Sequence, residues 1–530
     1  MASSTKKRKS PKGGRSKKNP RPRSKTSGRK STKVSKGESP LPLFEAADTS
    51  ARETTIPQKA KSDKSSSPQK RERSYQTAHT IGLKQREISI SEFFAKNRHL
   101  LGFDSLPKAL LTAVKEAVDN SLDACEEAGI LPDILVELSE KGENRYRLIV
   151  EDSGPGIVKS QVPRIFGKLL YGSKFHVLKQ SRGQQGIGIS AAVMYSQLTT
   201  GKSVRVISRT GARQQAHVYE LQIDTKKNNP VILSDKTAAW GRPHGTHIEM
   251  EILASYKKGQ RSVDAYLHQV AMANPHAQIV YRPPKGDEIV YKRLSHKLPD
   301  EPKEIRPHPH GVELGVLLDM LKVTKSRNIK GFLETEFSRM SSRTSSEVLE
   351  LAGITPRTSP KRITRDQGEA IVKAFVRARI MKPPTNCLSP IGEDLVTKSL
   401  GREADADFCT SLTRPPAVYR GNPFQIEVGI AYGGTSGDEE ETVRLHRFAN
   451  RAPLIYQQSA CAITQSVIGT AWRSYGVTQA RGALPTGPLI IVVHIASAWV
   501  PFTSESKEAI AHYSEIIKEI KLALQECGRR

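Results

Sequence analysis

The sequence predicts a multidomain α+β chain: a basic tail, an α/β layer, a helical block and a second α+β region. Three observations predict it. The 530 residues exceed what one hydrophobic core accommodates, so a few domains are expected. Stretches of period-two alternation are interleaved with stretches of helical period. Composition shifts after Arg73 and again across the proline-rich LPDEPKEIRPHPHG between Leu298 and Gly311, which marks a boundary.

The formal net charge of +29 favours a polyanionic partner. The charge is uneven: up to Arg73, 22 lysines and arginines stand against 6 acidic residues, so 16 of the 29 net charges lie there. MASSTKKRKSPKGGRSKKNPRPRSKTSGRKSTK is almost free of apolar residues and rich in Ser, Pro and Gly. Such a segment buries too little surface to offset its chain entropy, so residues 1–80 are expected to be a disordered basic tail. Neutralising DNA phosphates is one role for it; a solubilising or nuclear-targeting role stays open. The five cysteines, Cys125, Cys387, Cys409, Cys461 and Cys527, lack C-x-x-C spacing and read as reduced intracellular thiols, not a disulfide frame or zinc site. No apolar run reaches the roughly 18–20 residues of a membrane span, and no apolar segment follows the basic N-terminus as in a secretion signal. The expected location is intracellular and DNA-associated, in the cytoplasm or nucleoid of a prokaryote or the nucleus of a eukaryote.

After the tail, Ile88 to Asn97 predicts an entry helix capped by Ser91, with Phe93 and Phe94 packing inward. KEAVDNSLDAC follows, and two helix faces can be read from it. At about 100° per residue, Leu111, Val114, Val118, Leu122 and Cys125 share one side. Glu116, Asn120 and Asp123 share the other, within roughly 60° of one another. A carboxylate can act as a general base, and an amide oxygen suits a hard cation such as Mg²⁺; a solvated polar face has the same pattern.

Arg145 to Glu151 alternates as a strand, with Tyr146, Leu148 and Val150 on one face. It ends in Asp152 and the turn Ser153-Gly154-Pro155-Gly156. A carboxylate there can accept from an exocyclic amine such as that of adenine, or simply form the turn. SRGQQGIGIS places Gly183, Gly186 and Gly188 before the apolar run Ile189 to Met194. Glycines let backbone N–H groups approach phosphates, and a following helix N-terminus adds a favourable dipole. The loop is neither a Walker motif nor a dinucleotide fingerprint. HGTHIEM sets Gly245 and Thr246 ahead of a strand. SVRVISR, HVYELQI, THIEMEI and AQIVYR complete the strand candidates, implying helices on one face of a mixed sheet.

Past the proline-rich boundary, GVELGVLLDMLKV, NIKGFLETEFSRM, SSEVLELAGI and DQGEAIVKAFVRAR read as short helices. His308 and His310 have no further ligands at metal spacing. From about Ser389 the pattern is α+β again, with FQIEVGIAYGG and GPLIIVVHIAS as strands. KEAIAHYSEIIKEIKLALQECGRR reads as a terminal helix of about six turns. Its stripe is Ile510, Tyr513, Ile516, Ile517, Ile520 and Leu524, a core face or a seam for another subunit.

Four motifs in this order resemble the ATPase superfamily shared by gyrase, Hsp-type chaperones, histidine kinases and MutL-type repair proteins. YGSKFHVLKQSRGQQGIGIS followed by AAVMYSQLTTGK resembles one branch, the B subunits of DNA topoisomerase VI, and the likeness runs from about Ile88 to Arg530. It implies a Bergerat-type ATPase α/β sandwich at 81–300, a helix-two-turn-helix module at 301–390 and a transducer domain with a long C-terminal helix at 391–530. It implies ATP with Mg²⁺ as cofactors. Glu116 would be the base and Asn120 the metal ligand, with Asp123 beside them; Asp152, Gly156 and Thr246 would take adenine. The loop Gly183, Gln184, Gln185, Gly186, Ile187, Gly188, Ile189 and Ser190 would wrap the phosphates, and Ser173 and Lys174 would close a lid.

VPFTSESKEAIA resembles the transducer loop whose lysine touches the γ-phosphate, here Lys507. A point charge can tell a triphosphate from a diphosphate. The likeness further implies an arm near Tyr75 to Ser91 that crosses to a partner protomer, dimerisation on ATP, and an assembly of two A and two B subunits on double-stranded DNA. The helical module would offer Arg327, Lys330, Arg339 and Arg343 to DNA, unless these are ordinary solvated charges. No DNA-cutting centre is evident: Asp405 and Asp407 form the one D-x-D candidate, without a strand beside them. A clamp ATPase of chaperone or mismatch-repair type, and a DNA-bridging protein acting through the tail, remain as alternatives. A histidine kinase is disfavoured, since no phospho-accepting His sits in a helical dimerisation pattern.

Overall fold

The computed structural model describes Ala78, Leu83 and residues 85–530, apart from 175–176, 184–185, 435–440 and 505. The basic tail, the arm before Gln85 (Ala78 and Leu83 excepted), and Gln184 and Gln185 lie outside the described residues.

The entry helix α1 spans Ile90–Lys96, and its cap is Ser89, not Ser91: Ser89 is extended and its Oγ accepts from Glu92 N. Ser91 is already inside the first turn and buried. Phe94 packs on the core, whereas Phe93 is 41% exposed, so one of the two phenylalanines expected inside is not. Next, α2 spans Leu106–Glu127, with Pro107 in the first turn, where its missing N–H costs nothing. Leu111, Val114, Val118, Leu122 and Cys125 are all buried, as the period predicted.

The first sheet comprises β1 (Asp133–Gly142), β2 (Arg145–Asp152), β3 (Val204–Arg209), β4 (Ala216–Asp224), β5 (Asn229–Ala238), β6 (Gly245–Leu253), β7 (Gln278–Arg282) and β8 (Ile289–Tyr291). Its order is β5-β4-β3-β6-β2-β1-β7-β8. Every pairing is antiparallel except β1 with β7. β6 alternates buried and half-buried residues, the signature of a sheet covered by helices on one side. The covering helices are α2, the short α3 (Val162–Gly167), α4 (Gly188–Thr200) and α5 (Val263–Ala273).

A separate helical core follows in α6 (Leu314–Val323), α7 (Ile329–Glu336), α8 (Ser342–Leu351) and α9 (Arg365–Arg377). α9 carries a full capping box between Thr364 and Gln367. His308 and His310 contact Met381 O and Phe375 O, both at 2.9 Å, and so tie the proline-rich linker to this core.

The second sheet begins after α10 (Glu393–Glu403). Its strands are β9 (Phe408–Thr413), β10 (Ala417–Tyr419), β11 (Asn422–Tyr432), β12 (Arg444–Ala449) and β13 (Ala452–Pro453). After α11 (Ala462–Ile468) and the small β14 (Thr478–Gln479) and β15 (Pro485–Thr486) pair comes β16 (Leu489–Ser497). The order is β10-β11-β16-β12-β13, with β9 on β11 and β12 parallel to β16. All nine residues of β16 are buried. Leu489, Ile491, Val493 and Ile495 face α11 and the last helix, while Ile490 and Val492 face α10 and the end of α5. A strand covered on both faces reads as a continuous apolar run, as LIIVVHIAS does.

The last helix, α12, spans Ser514–Arg529, 16 residues, about four and a half turns and not six. Residues before it are extended, and Ile510 bridges to Phe502. Ile510, Ile516, Ile520 and Leu524 are fully buried against the second sheet, so the stripe is core.

Candidate active site

A cavity of about 330 Å³ forms where α2, the end of β2, the glycine loop before α4, the start of β6 and the loop before α12 converge. Its floor is the polar face of α2. Glu116, Asn120 and Asp123 all line it, as the helical period placed them. Glu116 lies against the N-terminus of α4: a Cβ on Gly188 would come within 1.8 Å of Glu116 Oε2. Its nearest charge is Lys115 Nζ at 3.5 Å, and that lysine stands equally far from Asp119. Asn120 is exposed to the cavity, on the side of Gly183.

Asp123 is bound elsewhere. Its Oδ2 accepts from Lys174 Nζ at 2.9 Å and its Oδ1 from Arg182 Nη1 at 2.8 Å. Burial alone would raise its pKa, but Lys174 and Arg182 outweigh burial and lower it. Lys174 also reaches Glu127 at 2.6 Å. Thus Ser173 and Lys174 line the cavity, with Lys174 tied to α2.

At the far end stands Asp152, buried and fixed by three donors. Oδ1 accepts from Gly154 N at 2.9 Å and Thr246 N at 3.0 Å; Oδ2 accepts from Ser121 Oγ at 2.9 Å. Burial pushes its pKa up, with the Gly154, Ser121 and Thr246 hydrogen bonds acting against it. Gly156 is required beside it. Its φ is +72°, and a Cβ would meet Arg209 O at 2.1 Å.

Gly183, Gly186, Ile187, Gly188 and Ile189 line the side formed by the glycine loop and the start of α4. Ser190 does not: it is buried and its hydroxyl donates to Ile187 O at 2.9 Å, within the first turn of α4. Lys507 enters from the loop before α12 and donates to Arg182 O at 3.0 Å. Burial holds its pKa below the usual lysine value, with Glu116 acting the other way and Lys115 adding to the depression. Among the described residues no three His, Cys, Asp or Glu side chains gather at metal distance. A cation at Asn120 would therefore complete its shell from phosphates and water, as Mg²⁺ commonly does.

Sequence reasoning missed part of the wall. Pro453, Ile455 and Tyr456 line the cavity from the β13 region. Lys108 lies 5.1 Å from the Tyr456 ring and 2.7 Å from Glu508 Oε1. Arg182 was also missed as more than a loop residue; it is buried between Asp123 and Glu126. Its partners lie on distant elements, so no local pattern points to it. All five cysteines are free thiols, and no helix among the described residues is long and apolar enough to cross a membrane.

Two family models match. Residues 105–225 match the family described as histidine kinase-, DNA gyrase B-, and HSP90-like ATPase. Residues 383–530 match the transducer of the topoisomerase VI B subunit. The type 2 DNA topoisomerase 6 B subunit of Methanococcoides burtonii is 52% identical over 454 residues, covering 86% of this chain and 73% of the relative. Its counterpart from Archaeoglobus fulgidus is 50% identical over 448 residues, covering 84% and 74%. With an ATPase fold whose cavity is walled in part by the transducer, and relatives matched at this identity over most of both chains, this chain belongs to the family of type 2 DNA topoisomerase 6 B subunits and is the ATPase subunit of an ATP-dependent topoisomerase.

Proposed function

We propose that the cavity holds ATP with Mg²⁺, that Glu116 activates the attacking water, and that Lys507 senses the γ-phosphate. The observation that carries this reading is the meeting of Glu116 and Lys507, from opposite ends of the chain, in one cavity beside the glycine loop. Asn120 is the protein ligand for Mg²⁺, which when bound neutralises charge on the phosphates. Asp152 accepts from the adenine amine, with Thr246 and Gly156 shaping that end. Asp123, held by Lys174 and Arg182, keeps α2 and the loop in register. Gly183 and Gly186 to Ile189 wrap the phosphates at the α4 N-terminus. Ser173 and Lys174 form the lid, and closing it requires Lys174 to exchange Asp123 or Glu127 for a phosphate.

On this reading residues 81–300 are the ATPase domain, 301–390 the helix-two-turn-helix module and 391–530 the transducer. ATP binding draws two such chains together and hydrolysis releases them, which requires only that ATP favour the closed form. A separate A subunit, which carries the cleaving tyrosine, completes an assembly of two A and two B chains, in which one duplex passes through a cut in another. Arg327, Lys330, Arg339 and Arg343 read as ordinary solvated charges of the helical module, with Arg339 Nε donating to Lys382 O at 3.0 Å, and the basic tail supplies non-specific phosphate contacts. With supercoiled plasmid and the A subunit, relaxation should require ATP; relaxation of equal rate without ATP rejects the reading.

Three further outcomes are expected. Gly188→Ala should fold, because the clash falls on the flexible end of Glu116. Displacing that carboxylate should lower the hydrolysis rate by about 10²-fold or more, measured as phosphate release. Lys507 predicts the pH dependence of nucleotide binding. Its pKa is lowered in the free protein, so its burial cost is present at low pH and is relieved as pH rises through that lowered value. A triphosphate restores the ammonium, so binding takes up a proton above the free pKa, and affinity falls as pH rises through it. Calorimetry in buffers of different ionisation enthalpy should detect the uptake, and Lys507→Ala should abolish it. Deleting residues 1–73 should weaken DNA binding and flatten its salt dependence; an unchanged slope would exclude the tail from DNA.

A further inference from the structure

We propose that Arg451, in the turn between β12 and β13, and Glu126, in the last turn of α2, are positioning residues that lock the phosphate-facing loop to the second sheet. This rests on the reading of the cavity as an ATP site and deepens it.

The first observation is the turn itself. Asn450 and Arg451 have φ of +49° and +63° and separate the paired residues Ala449 and Ala452. Two-residue hairpin loops with both φ positive favour asparagine and then glycine. Arginine occupies the place of the glycine, a strained choice for a side chain with a Cβ. Such a conformation persists where the surrounding structure over-determines it.

Around Arg451 that structure is a buried chain of charges. The Arg451 side chain is 4% exposed. Its Nη2 donates to Ser389 O and Oγ at 2.9 and 2.7 Å and to Pro390 O at 3.0 Å, while Nη1 stands 3.7 Å from Glu126 Oε2. Glu126 accepts from Arg182 at 2.7 and 3.0 Å and meets His276 at 2.8 Å. Arg182 then reaches Asp123, on the cavity floor. In the other direction, Arg451 N donates to His494 Nε2 at 3.0 Å. His494 Nδ1 therefore carries the proton and donates to Glu427 at 2.7 Å, and Glu427 accepts from Ile391 N and Gly392 N. Glu427 and His494 sit on neighbouring strands of the second sheet.

Asn450 strengthens the link. Its Nδ2 donates to Ser181 O and Ser497 O, both at 3.0 Å. Lys507 holds the next carbonyl of the loop, Arg182 O. The loop that leads into Gly183 is therefore held, directly or through Glu126, by three residues of the second α+β region. Apolar contacts between α5 and α10 already join the two regions, so adhesion alone does not call for buried ions. Paired ions fix one registry, and cutting one link leaves an uncompensated buried charge. A loop fixed in this way changes its grip on the phosphates only together with the second sheet.

The test uses the full chain, ATP and Michaelis kinetics. Arg451→Gly suits the turn and severs the chain; Glu126→Gln keeps the shape and removes the charge. Each should raise KM for ATP at least fivefold with kcat within threefold of wild type, because Glu116 is untouched. The double variant should be no worse than the poorer single variant. A KM rise below fivefold in either folded variant, a kcat change beyond threefold, or multiplied losses in the double variant overturns the inference. If Arg451→Gly proves unstable by thermal melting, Glu126→Gln alone decides by the same criterion. Failure of the wild-type chain to bind or hydrolyse ATP overturns the reading of the site instead.

Discussion

Glu116→Ala is expected to lower phosphate release by a factor of about 10²–10⁴ and, on the proposed function, to leave nucleotide-driven dimerisation intact. The expectation follows from which carboxylates in the cavity are already engaged. Asp123 is paired with Lys174 and Arg182. Glu127 is paired with Lys174, and Glu508 with Lys108. Asp152 accepts three hydrogen bonds. Asp119, behind the floor, takes the Tyr266 hydroxyl at 3.1 Å. Among the described residues Glu116 is paired only with Lys115, at 3.5 Å, and has no closer ion pair. It also lies beside the α4 N-terminus, where a γ-phosphate is expected. On the proposed function, removing it takes away the base but not the groups that bind the phosphates. Turnover near the wild-type rate would show that another group activates the water.

Asp152→Asn is expected to weaken ATP binding about 100-fold and to erase the preference for adenine over guanine nucleotides. The carboxylate faces two backbone N–H groups and the Ser121 hydroxyl. An asparagine oxygen can keep Gly154 and Thr246 satisfied. Its NH₂ then points at the Ser121 hydroxyl, which can turn to accept, and at the place of the incoming amine, which cannot. Donor against donor in a buried site leaves both unpaired, about 1–3 kcal/mol for each, and sites built on such complementarity discriminate strongly. Competition between ATP and GTP, measured on the folded variant, checks this directly. Retained adenine preference would mean that another group reads the base.

The parts of this site carried by one element were legible in the sequence. Helical rotation alone put Glu116 and Asn120 on one face, and both line the cavity. Asp152 was readable because strand alternation ends on it. Lys507 was readable only through its motif. What failed was long-range or conformational. Arg182 depends on Asp123, Glu126 and Asn274, which no local pattern connects. Ser190 shares the loop spacing, yet its hydroxyl closes the first helical turn and does not face the cavity. Ile510 and Tyr513 happen to continue the stripe of α12 with helical spacing. Bridge pairing to Phe502 holds that segment extended, so the helix begins later. Ser89 and Ser91 are equally good caps by type; the extended backbone at Ser89 decides between them.

On the proposed function, a lysine from the second α+β region and the acidic face of α2 grip one triphosphate. Equilibrium titration of a non-hydrolysable ATP analogue and of ADP into the full chain and into Lys507→Ala tests it most directly. Wild type should prefer the triphosphate by tenfold or more, and the variant should bind both alike. An undiminished preference for the triphosphate in Lys507→Ala would contradict the account.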